Sequence, residues 1–214
     1  MKRREITCGL GAAALLAGLS PAVRAQGGPV EGRDFQKLEK PLPATPGKVE
    51  VVEFFGYWCP HCNAFEPSLD AWARKLPAQQ VSFRRVSIAF NAAQEPIQRM
   101  FFALEAMGQV EAVHTKVFSA IHVAKGLPPA PKEAEIVTFL KANGLDGDKV
   151  LETMKSFSVA TKVRQARALA DGYGLDGVPL LGIAGRWRTS PGIAGSHERA
   201  LAVADALIAQ ARKA

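Results

Sequence analysis

Residues 49–62 read Val-Glu-Val-Val-Glu-Phe-Phe-Gly-Tyr-Trp-Cys-Pro-His-Cys, and two structural states meet within them. Five of the first seven residues are β-branched or aromatic, which predicts a central strand, apolar on both faces except at its glutamates. Past Cys59 the period changes, and Cys62, Phe65, Leu69, Trp72 and Leu76 recur at helical spacing. Cys59-Pro60-His61-Cys62 thus stands where a strand gives way to a helix. Two cysteines three residues apart can close a small disulfide on a first helical turn, and Pro60 suits the first helical position because its missing N–H would be unpaired there. Unpaired N–H groups and the positive helix end favour an anion, so the Cys59 thiolate is stabilised. Cys62 lies deeper in the helix, and should be more buried and less acidic. Cys59 is then the attacking sulfur and Cys62 the resolving one, with His61 able to donate a hydrogen bond or a positive charge to Cys59. A more stable thiolate means a less stable disulfide and a stronger oxidant.

Outward from this segment, residues 81–88 predict a second strand. From Ala92 to Gly174 the pattern is helical, with five apolar stripes broken at Gly126–Pro131 and Asn143–Gly147 and with Ser158 as an expected N-cap. Strands resume at Val178–Ile183 and Trp187–Thr189, and a last amphipathic helix follows Ser196. The whole is α/β: a domain formed by residues 49–91 and 175–214, with a helical domain inserted at 92–174. Residues 26–48, rich in Gly and Pro, predict an extended N-terminal arm.

The first 25 residues have the layout of a cleaved signal peptide: a basic head at Lys2, Arg3 and Arg4, an apolar stretch from Ile6 to Leu19, then Val23 and Ala25 at the −3 and −1 positions. That stretch is too short to span a membrane comfortably. The Arg3-Arg4 pair hints at the twin-arginine route; the Sec route is the alternative. Cleavage would remove four basic residues and one acidic one, lowering the net charge of the 214-residue chain from +7 to +4. No Lys/Arg block remains to suggest nucleic acid. Cys8 would also leave, so an exported chain keeps Cys59 and Cys62 alone, a pair present for chemistry or for a metal. A zinc site needs two more thiolates or imidazoles, and no second CxxC or HxxxH exists. His114, His122 and His197 are remote from the pair in sequence, so no metal ligand set is expected. There is no GxGxxG after a strand, so no nucleotide or flavin is called for. Glu53, inside an apolar strand, is costly to bury unless paired; Arg84 or Arg85 on the next strand could pair with it, or it points to solvent.

The segment from Val52 to Cys62 resembles the active-site segment of the DsbA family of thiol oxidases, which have a thioredoxin fold. Gly177-Val178-Pro179 resembles that family's cis-proline loop, and Gly192-Ile193-Ala194-Gly195-Ser196-His197 the stretch before its final helix. Pro179 lies 120 residues after Cys59, more than a bare thioredoxin domain needs, and the five helices account for the excess. The resemblance implies a monomeric periplasmic oxidoreductase that donates the Cys59–Cys62 disulfide to reduced, unfolded secreted proteins. A membrane quinone reductase of the DsbB type would recharge it, and the redox-active disulfide would be its sole cofactor. Pro179, if cis, would face the disulfide, and Val178 would offer backbone groups to an extended client. Glu53 would assist proton transfer to Cys62, although the family usually has a lysine where this chain has arginines. Tyr57 and Trp58 would either rim the site for clients or pack against the insertion. The rival readings are an isomerase or reductase of the same fold, a thiolate metal-binding protein, and a thiol-independent holdase.

Overall fold

The structure, a computed structural model, describes residues 28–43 and 47–213. The expected signal peptide and the start of the arm lie outside these residues. The chain runs through β1 (Gln36–Lys37), β2 (Val49–Phe55), α1 (Pro60–Ala73), β3 (Val81–Ser87) and five helices, α2 (Glu95–Ala106), α3 (Val110–His122), α4 (Glu133–Ala142), α5 (Gly147–Met154) and α6 (Phe157–Gly172). It continues with β4 (Leu180–Ile183), β5 (Trp187–Thr189), α7 (Pro191–Ala194) and α8 (His197–Ala211). Among the described residues the strands form one sheet in the order β1-β5-β4-β2-β3. β2 is parallel to β3 and antiparallel to β4. Parallel neighbours need a crossover connection, and α1 supplies it.

β2 is buried from Val51 to Phe55 because helices cover both faces of the sheet. On one face Val51, Leu181 and Ile183 pack with Phe65 and Leu69 of α1 and Leu207 of α8. On the other, Val52 and Phe54 join a core built from α2 to α6. The five helices occupy the single connection from β3 to β4, so the architecture is a thioredoxin-like α/β fold with a helical insertion.

Tyr173, just past α6, ties the insertion to the sheet. A Cβ at Gly182 would lie 2.5 Å from the Tyr173 ring, so β4 needs glycine there. The Tyr173 hydroxyl accepts from the Gly185 N–H at 3.0 Å, and its ring meets Phe54 edge-on at 5.3 Å. α6 is capped by Ser156, whose hydroxyl accepts from the Val159 N–H, and not by Ser158. Ser158 lies inside the first turn and hydrogen-bonds Ser156 instead.

The arm is more than extended chain. Gln36 and Lys37 pair antiparallel with β5, and Leu38 N–H donates to the Arg186 carbonyl at 2.8 Å. The buried Asp34 carboxylate receives Arg199 Nη2 of α8 at 2.7 Å and the Val30 N–H at 2.8 Å. Gly/Pro content marked the arm as irregular but carried no sign of this edge strand. No helix among the described residues is long and apolar enough to cross a membrane.

Candidate active site

β2 ends at Phe55, and the chain turns through Gly56-Tyr57-Trp58 into α1. A Cβ at Gly56 would lie 2.4 Å from Trp58 Nε1, so glycine lets the indole fold back over the turn. The indole N–H donates to the Ile88 carbonyl at 3.0 Å, which fixes the ring. Tyr57 and Trp58 then part. Tyr57 is fully buried against Phe101 and Phe118 of the insertion. Trp58 stays half-buried beside Phe90, which is 46 % exposed.

Cys59 is the N-cap of α1 and Pro60 its first residue. Both cysteines are free thiols and buried, whereas His61 is exposed. The Cys59 thiol donates to the Val178 carbonyl at 3.4 Å. That contact brings the loop before β4 to the start of α1, and the Val178–Pro179 peptide in this loop is cis. Beside them opens a groove of about 400 Å³ lined by His61, Val178, Pro179, Ile193 and His197.

The two sulfurs are driven apart electrostatically. The hydrogen bond from the Cys62 thiol does most to lower the Cys59 pKa, from 9.0 to about 6. Backbone N–H groups of Cys62 and His61 and the His61 charge add to it, against the effect of burial. Burial, the bond to Cys59 and the negative charge of Cys59 hold the Cys62 thiol far above the ordinary range. The asymmetry read from the motif is present, but the thiol–thiol bond does most to lower Cys59 and burial does most to raise Cys62, ahead of the helix end.

Glu53 does not reach solvent: its side chain is 1 % exposed. Parallel register places it beside Arg85, whose Nε lies 3.2 Å from Glu53 Oε2, while Arg84 turns outward to Glu50. Burial, then the charge of Glu66, push the Glu53 carboxyl well above the usual carboxylate range, with Arg85 acting against them. Arg85 Nη2 also donates to Glu66 Oε1 at 2.6 Å.

Three participants were missed from sequence. Glu66 follows Cys62 by one helical turn on the buried face of α1. His114, remote in sequence, is in space 3.2 Å from Glu66 Oε1 through Nε2 and 2.7 Å from the Tyr57 hydroxyl through Nδ1. His122 Nε2 lies 2.8 Å from the Tyr57 carbonyl. A signal was available, since His114 and His122 fall on the apolar stripe of α3 with Val113, Val117, Phe118 and Ile121. Among the described residues no group of three or more His, Cys, Asp or Glu side chains is placed to hold a metal.

A family described as a DSBA-like thioredoxin domain matches residues 50–202. The thiol:disulfide interchange protein DsbA of Azotobacter vinelandii is 44% identical over 184 residues, covering 86% of this chain and 85% of that protein. Its counterpart in Bordetella parapertussis is 40% identical over 218 residues, covering 100% of both. The crystal structure of Pseudomonas aeruginosa DsbA superposes with a TM-score of 0.80 at 39% identity, covering 85% of this chain and 94% of that one.

Proposed function

The chain belongs to the DSBA-like thioredoxin family, and we propose that it is the periplasmic member that donates its Cys59–Cys62 disulfide to reduced, newly exported proteins. It is a thiol:disulfide oxidoreductase. A client thiolate attacks Cys59 Sγ, the S–S bond breaks, and its electron pair leaves on Cys62, which must take a proton because burial disfavours its thiolate. Glu53, held neutral beneath the site, supplies that proton. A second client thiolate then attacks the client sulfur of the mixed disulfide and expels Cys59 as a thiolate. Two electrons pass from the client to the pair: the client leaves oxidised and the protein reduced. The stabilised Cys59 thiolate favours the second step, in which Cys59 is the sulfur expelled, since a low-pKa thiol is the better leaving group, and its stability draws the overall exchange toward the reduced protein. Val178 offers backbone groups to an extended client, Pro179 faces the sulfur, and Trp58 with Phe90 forms an apolar rim. A membrane quinone reductase of the DsbB type would restore the disulfide, and the protein works as a monomer with no cofactor besides that disulfide.

The observation that supports this reading most is the opposed acidity of the two thiols, Cys59 brought down to about 6 and Cys62 driven up. A thiolate metal site would need both sulfurs ionised, which the Cys62 environment opposes. The test mixes the oxidised protein with a reduced, unfolded dithiol client and counts free thiols by alkylation. We expect one client disulfide per protein disulfide consumed, and none with the Cys59→Ser, Cys62→Ser variant. Equal client oxidation by that variant, or no oxidation by the unaltered protein, would overturn the reading.

A further inference from the structure

Beneath the cysteines the fold buries more charge than it neutralises. Glu53 of β2 and Glu66 of α1 are two carboxylates facing one guanidinium, Arg85 of β3, whose side chain is 11 % exposed. Asp70, 3.6 Å from Arg85, is answered by Arg74 at 2.9 Å and is partly exposed. Among the described residues neither oxygen of Glu53 nor Oε2 of Glu66 receives a hydrogen bond. Two buried, ionised carboxylates so poorly served are costly, so the cluster must hold a proton.

It has two places for one. The first is the Glu53 carboxyl; the second is His114, which enters from α3. The groups facing His114 are the Tyr57 hydroxyl and Phe55 ring from the end of β2 and the turn beyond it, Glu66 from α1, and Phe118 from its own helix. Arg85, Glu53 and Asp70 lie behind Glu66, and Glu111 of α3 adds a further negative charge felt by Arg85 and Tyr57. An imidazolium at His114 would provide the missing positive charge. The Tyr57 hydroxyl can donate to a bare Nδ1 or accept from a protonated one, so this bond survives either state.

We propose that His114 is a positioning residue for the exchange reaction, forming the second cation site of the Glu53–Arg85–Glu66 cluster and so compensating the proton that Glu53 gives to Cys62. The inference rests on the reading above, in which Glu53 serves the cysteine pair. When the client displaces Cys62, Glu53 loses its proton to the leaving sulfur and becomes a carboxylate. His114 takes one proton from solvent, and the cluster returns to neutrality; reoxidation runs both transfers backward. The insertion thereby contributes to chemistry carried by the other domain.

The experiment compares the unaltered chain, His114→Gln and Glu53→Gln, each folded by circular dichroism, reducing each by excess dithiol from pH 5 to 8 with Trp58 fluorescence as the signal. Glutamine keeps a hydrogen-bond acceptor for Tyr57 but cannot become charged. We expect His114→Gln to slow reduction on the order of tenfold at pH 6, less than loss of a direct proton donor would cost, and to flatten the pH profile. Its Cys59 thiolate titration should stay unchanged, because His114 does not touch that sulfur. Slowing by Glu53→Gln with a normal His114→Gln profile would overturn this inference and leave the general reading standing. Normal profiles for both would overturn the inference together with the role of Glu53. Should His114→Gln fail to fold, the ring resonances of His114 in the unaltered chain decide the matter. At one pH they should report different protonation in the disulfide and dithiol forms, and identical resonances would overturn the proposal.

Discussion

A thiol that keeps its negative charge at neutral pH alters the energy of every species it enters, and Cys59 is such a thiol. With its pKa lowered from 9.0 to about 6, the folded dithiol form gains stability as pH rises from 6, reaches the full gain above 9, and loses it as pH falls back through 6. The disulfide form has no equivalent group. We therefore expect the melting temperature of the reduced protein to rise relative to the oxidised one between pH 5 and 8; parallel curves would contradict the assignment. His61 contributes through its charge and its backbone N–H, so His61→Ala should raise the thiolate titration midpoint, read by ultraviolet absorbance, and weaken the oxidant. An unchanged midpoint would remove His61 from the mechanism. At this scale the sequence was most legible: residue type and spacing put Cys59 at the strand–helix junction and Pro60 first in the helix, where the structure has them. The cluster behind them was not legible, because Glu66 and His114 join it through helix packing and not through any motif.

The elements show where periodicity succeeds and where it fails. β2 was readable because Val49 to Phe55 carries its own hydrophobic pattern, and the register with β3 then decided between Arg84 and Arg85 as the partner of Glu53. Replacing Arg85 by Met would leave Glu53 and Glu66 without their cation. Breaking buried pairs of this kind costs about 3–5 kcal/mol, with protonation of Glu53 moderating the loss. A urea midpoint matching the unaltered protein would show that the pair adds no stability. Gly182 carries a second element-scale expectation. Its Cβ would strike the Tyr173 ring, so Gly182→Ala should destabilise by about 1–3 kcal/mol through overpacking. Full stability in that variant would mean that α6 does not bear on β4 as described. The Glu53–Arg85 pair was visible in sequence as one of two alternatives, whereas the Gly182–Tyr173 contact was not, because it joins residues whose local patterns are complete without it.

For the whole molecule, the order strand, helix, strand, five helices, two strands, helix was legible because each segment buries an apolar face with its own period. The edge strand at Gln36–Lys37 was not, since two residues have no measurable period and their pairing is decided by β5 and by Asp34 reaching Arg199. The inserted helices and the sheet meet beside the cysteine pair. One brings Tyr57's histidine partners and the other brings both cysteines, so stability, acidity and exchange belong to one assembly. The proposed donor role requires an energetically unfavourable Cys59–Cys62 disulfide, and the most direct test is the redox equilibrium of residues 26–214 against glutathione, followed by Trp58 fluorescence and thiol trapping. The Cys59 environment leads us to expect the reduced form to persist when the glutathione is mostly oxidised. A disulfide that survives strongly reducing buffer would contradict a stabilised Cys59 thiolate and, with it, the assignment of this protein as a disulfide donor.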